Sequence, residues 1–130
     1  MKFEWPLIVP DDKDVERLAK AVFDISEYVA GIIAKEGLAE GLNPIGGPIA
    51  FHAACHARAQ NMGTKGADML RAIPDAQVAV VERCSGHGGS WGIKTENFGV
   101  ATKFARQTVR NVADAKPAHV CSECPLAGKH

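Results

Sequence analysis

The chain has no excess of either charge: 15 Lys and Arg residues balance 15 Asp and Glu, for a net charge of zero. That balance argues against a nucleic-acid surface and against a polybasic membrane patch. No apolar run is long enough to span a bilayer, and the N-terminus, MKFEWPLIVPDDKD, has neither the apolar core nor the small-residue cleavage site of a signal peptide. The expectation is a cytoplasmic protein whose partners are proteins or small molecules. Internal repeats and low-complexity tracts are also missing, which leaves a single folded unit to account for. Cysteine is sparse, at four residues. In a reducing compartment those four read as ligands or redox groups before structural disulfides.

At 130 residues and 46% hydrophobic composition, the chain is long enough for one domain with a true core and too short for two. From Asp11 onward Val15, Leu18, Val22, Ile25, Val29 and Ile32 recur at spacings of three and four, the stripe of an amphipathic helix. It predicts a helix of about five turns, capped by one of Asp11, Asp12 or Asp14 and stopped at Gly37. EGLAEGLNPIGGP then has the composition of a linker or loop run.

Beyond it the period changes. PIAFHAAC (48 to 55), AQVAVVE (76 to 82) and PAHVC (117 to 121) are short apolar runs of strand length. Helical patterns separate them, TKGADMLRAI (64 to 73) and TENFGVATKFARQTVRNVADA (95 to 115), the second with Phe98, Ala101, Ala105, Val109 and Val112 on one face. Strand, helix, strand, helix, strand predicts an α/β fold: a small parallel, Rossmann-like sheet with right-handed crossovers behind an N-terminal amphipathic helix.

Such crossovers bring the carboxyl ends of successive strands to one edge, where α/β proteins place their sites. Cys55 ends the first run, Cys84 follows the second, and Cys121 and Cys124 lie at and beyond the third. The topology therefore gathers all four on one edge. A shared ligand site is the sharper reading, and cysteines as small buried apolar residues the competing one. Cys121-Ser-Glu-Cys124 adds weight, because a C-x-x-C turn brings two sulfurs to one metal or cluster. It is also the spacing of a dithiol redox pair, although such a motif should open a helix and here Pro125 follows at once.

With FHAACHARAQNMGTKGADMLRAIP, ERCSGHGGSWGIKTENF and HVCSECP in this order, the chain resembles the cysteine-rich CCG domain family. That family includes the cysteine-rich subunit of heterodisulfide reductase, the lactate-utilisation iron–sulfur protein and the C subunit of anaerobic glycerol-3-phosphate dehydrogenase. The resemblance runs from about Pro48 to Pro125. It implies Cys55, Cys84, Cys121 and Cys124 as ligands of an iron–sulfur cluster, most simply [4Fe–4S], with [2Fe–2S] or zinc as alternatives. Family members carry a tandem cysteine before glycine where this chain has Cys84-Ser85-Gly86, which argues against the five-cysteine, noncubane cluster. A ferredoxin segment and a second CCG domain are missing as well. On that basis residues 1–43 are expected to be a helical segment and 44–130 a CCG-type domain, one half of a larger protein.

Other chemistries fit less well. GGSWG matches the G-x-S-x-G nucleophile elbow at Ser90, with Asp114 and then His119 or His130 in the right order, but Ser90 lies too far past the strand for a sharp turn into a helix. The glycine-rich loop could bind an anion before the helix at Thr95, yet it matches neither the P-loop nor G-x-G-x-x-G, since Trp91 stands in the third glycine's place. Glycines there serve sulfur better, letting backbone N–H groups approach a thiolate. Arg58, Arg83 and Lys94 flank the ligand loops and are candidates to offset thiolate charge, or plain surface charge. His56 and His87, close to ligand candidates, could bind metal or donate to sulfur, whereas His52 and His119, inside predicted strands, read as packed or hydrogen-bonded core residues. Trp91 reads as a lid over the site or as core.

The sequence thus predicts an iron–sulfur electron-transfer module of an oxidoreductase, with a protein redox partner or another subunit beside it and peripheral membrane contact left open. A structural zinc domain for assembly is the alternative. Thiol–disulfide chemistry at Cys121 and Cys124 ranks third.

Overall fold

Each of the three apolar runs becomes a strand, shorter than its run, because the Gly, Pro and polar residues at the flanks favour turns over extended pairing. The computed structural model describes residues 1–128. In chain order the elements are α1 (Glu4–Ile8), α2 (Lys13–Ala21), α3 (Ile25–Glu36), β1 (Ile49–His52), α4 (Cys55–Ala59), α5 (Lys65–Arg71), β2 (Val78–Val81), α6 (Thr95–Asp114) and β3 (His119–Ser122). The three strands form one all-parallel sheet in the order β2-β1-β3. This is the α/β, Rossmann-like arrangement that the alternation of strands and helices predicts.

Register aligns the strands level with one another: Ile49 opposite Val78 and His119, and His52 opposite Val81 and Ser122. The central strand, β1, is buried along its whole length. Alternation of side chains puts Phe51, Val78, Val80 and Cys121 in one cluster with Ala53, Ala67 and Leu70, so α5 covers that face. The other face meets α6 through small and polar side chains. Ala101 and Thr108 are buried there, with Ala105 and Val112 partly so, while Phe98 and Val109 of the expected stripe are 50% and 64% exposed. Ala101 and Thr108 meet the loop that follows β2, Ala101 at Gly86 and Thr108 at the Cys84 carbonyl, so the buried line of α6 is shifted by part of a turn.

The N-terminal stripe is not one helix. α2 starts where the Asp12 carboxylate accepts the N–H groups of Asp14 and Val15, and it ends at Ala21. The chain is extended at Val22 and Asp24, and the Asp24 side chain accepts the Ser26 N–H to start α3. An aspartate that can cap a new helix competes with continuing the old one. The break rotates the pattern: Ile25 is 72% exposed and Ser26 4%. α3 packs against α5. Two short helices, α1 and α4, add to those predicted from the sequence.

Candidate metal centre

Three strands that end level deliver three loops to one edge. β1 leads through Ala53 and Ala54 into Cys55, the first residue of α4; β2 leads through Glu82 and Arg83 into Cys84; β3 contains Cys121 and turns at once to Cys124. All four are free thiols. Cys55 and Cys84 are exposed, Cys121 is half-buried and Cys124 is buried. Among the described residues, no three His, Cys, Asp or Glu side chains stand close enough together to hold a metal ion. The donors are soft and gathered at one edge, which suits zinc or an iron–sulfur cluster in chemistry.

Each sulfur has its own setting. The Gly86 N–H donates to Cys84 Sγ at 3.3 Å. Gly86 can do this because it takes φ 85° and lies against the Ala101 carbonyl of α6, where a Cβ would collide with backbone. The Thr108 hydroxyl, buried on α6, donates to the Cys84 carbonyl at 2.7 Å. Cys84 is thus held at its backbone while its sulfur stays open to solvent.

Cys124 meets His87. Both are 9% exposed, and His87 Nε2 lies 3.4 Å from Cys124 Sγ. The Gly89 N–H donates to His87 Nδ1 at 3.1 Å, and the same nitrogen lies 3.3 Å from the Gly89 carbonyl, so the loop backbone fixes the ring with Nε2 toward the sulfur. Cys121 has a different setting. It packs on the Phe51 cluster, and burial, with the nearby charge of Glu123 as the smaller cause, pushes its thiol above the usual range. A cation would offset both effects when it displaces the proton.

Glu123, between the two cysteines of the turn, is not a residue that sequence spacing singles out. Burial raises its carboxyl, the charge of Asp24 raises it further, and the Ser26 hydroxyl, His56 and the Ala54 backbone pull it back down. A Cβ on Gly66 of α5 would lie 2.6 Å from its Oε1. One side chain therefore joins the C-x-x-C turn to the starts of α3, α4 and α5.

The other candidates divide. His52 is a buried, hydrogen-bonded strand residue as expected, whereas His119, expected in the core, is exposed on the edge strand β3 and hydrogen-bonded through Nε2 to the Gly46 carbonyl at 2.8 Å. His56 is exposed at the start of α4 and faces Glu123. Arg58, Arg83 and Lys94 are exposed, and no ion pair among the described residues engages them. Trp91 is 45% exposed, too open for a core residue. Ser90 is exposed in a glycine-rich turn, away from any sharp strand-to-helix turn, and His130 lies outside the described residues. After Cys124 the chain makes a turn and opens no helix, so the dithiol motif lacks its structural context. A groove of about 550 Å³ runs beside the C-x-x-C turn, lined among others by His52, Thr108, Val112, Val120 and Cys124.

No helix among the described residues is long and apolar enough to cross a membrane. Compared with known protein families, residues 49–126, more than half of the chain, match CCG, a cysteine-rich domain. No solved structure gives a significant match.

Proposed function

The chain belongs to the CCG family of cysteine-rich domains, which points to metal or iron–sulfur binding of an oxidoreductase type, and from that premise we propose an iron–sulfur electron-transfer module. Cys55, Cys84, Cys121 and Cys124 are its ligands, and one [4Fe–4S] cluster matches four thiolates most simply. The observation that carries this reading is the arrival of four reduced thiols at the carboxyl edge of one parallel sheet. Such a cluster, when bound, supplies one-electron chemistry. The chain's own part is to keep water from Cys124, to place His87 beside its sulfur, to donate the Gly86 N–H to Cys84 and to hold the Cys84 backbone through Thr108. Electrons need a donor and an acceptor, so a protein redox partner or another subunit is part of the proposal. Residues 1–43 are then an accessory helical segment of a domain spanning 44–130, one half of a larger assembly.

A structural zinc is the second reading. Ser85 follows Cys84 directly, and without a fifth thiolate the four that remain also complete a tetrahedral zinc shell. Protein purified without oxygen separates the two. Brown colour, with iron and acid-labile sulfide, is the expected result, and Cys84→Ala or Cys121→Ala should abolish it. A colourless protein with stoichiometric zinc would overturn the electron-transfer reading in favour of assembly.

A further inference from the structure

Building on this reading of the centre, we infer that His52 is a positioning residue, which ties the Cys84 loop to the C-x-x-C turn through Ser122. His52 ends the central strand, level with Val81 and Ser122, and is 5% exposed. Its Nε2 lies 2.7 Å from the Arg83 carbonyl, and its Nδ1 lies 2.9 Å from Ser122 Oγ. Ser122 Oγ in turn accepts the Cys124 N–H at 3.2 Å.

The directions follow from the chemistry of each group. A carbonyl only accepts, so Nε2 carries the proton. In the neutral ring Nδ1 then offers a lone pair, and the Ser122 hydroxyl donates to it. That leaves the oxygen's own lone pairs for the Cys124 N–H. Every polar group in the relay is satisfied, as burial requires. The relay ends at Arg83, next to Cys84, and at Cys124 itself. With Thr108 on the Cys84 carbonyl, two successive carbonyls of that loop are pinned by buried side chains. His52 touches no sulfur in this arrangement. It sets where two ligand loops stand relative to each other.

The test uses the full chain. In metal-free protein, nitrogen NMR should find His52 as the Nε2–H tautomer. The Cys124 amide should exchange with solvent about tenfold faster in Ser122→Ala and His52→Gln, the scale of one lost hydrogen bond. Titration with Co(II) should show about tenfold weaker binding and altered visible absorption in both variants, with Ser122→Thr close to the parent because it keeps the hydroxyl. If His52→Gln does not fold, Ser122→Ala and Ser122→Thr still decide. The Nδ1–H tautomer, or unchanged Cys124 exchange in Ser122→Ala, overturns the relay. Normal relay signals with no Co(II) uptake by the parent chain would instead count against the metal centre. Unchanged Co(II) binding in Ser122→Ala overturns the positioning role.

Discussion

Cys121 and Cys124 share one turn, yet one sulfur rests on an apolar cluster and the other lies 3.4 Å from a histidine nitrogen. Reactivity should follow those settings, because the thiolate is the nucleophile. In reduced, metal-free protein at neutral pH, iodoacetamide should label the exposed Cys55 and Cys84 first. Cys121 should lag, since burial and the charge of Glu123 keep it protonated. Its labelling should become efficient only as pH rises past the ordinary thiol range. Peptide mass spectrometry against time and pH reads all four, and equal rates for Cys121 and Cys55 would refute the account of burial. The cysteines were legible in the sequence; their differences were not. Composition and spacing carry no record of which side chain a strand turns toward a core.

Among the elements, α6 and the loop before it depend on each other through backbone contact. Gly86 combines φ 85° with an approach to the Ala101 carbonyl that leaves no room for a Cβ. Gly86→Ala should cost at least about 1–3 kcal/mol from the backbone conformation alone, with the collision added. Gly99, inside α6, has open space around it, and Gly99→Ala should stabilise by about 0.5–1 kcal/mol through helix propensity. Urea denaturation of the two variants measures both, and the same sign for each would contradict the packing described. A periodic stripe identified α6 as a helix correctly but chose its buried side imperfectly. Phe98 and Val109 stay exposed, and Ala101 and Thr108 are buried where α6 meets the loop after β2.

At the scale of the molecule, the N-terminal helices are attached to the sheet domain and not merely strung before it. α3 packs on α5 and the Ser26 hydroxyl bonds Glu123, while Lys2 pairs with Glu27 at 2.9 Å within the segment itself. Removing residues 1–43 should therefore destabilise the remainder by on the order of a few kcal/mol, as the apolar surface of α5 meets water. Thermal unfolding followed by circular dichroism would register this as a lower midpoint. An unchanged midpoint would mean that the segment contributes nothing to the domain's stability.

Alternation of short apolar runs with helical periods was enough by itself to determine a parallel α/β sheet and the edge on which four cysteines collect. That follows because right-handed crossovers leave little freedom in where strand ends go. Tertiary structure alone decided the break at Asp24, the central place of β1, the joining of Glu123 to three helices and the relay through His52 and Ser122. Most of these bring together groups far apart in the chain, and such partners are chosen by packing and hydrogen-bond satisfaction across elements, which local periodicity does not encode.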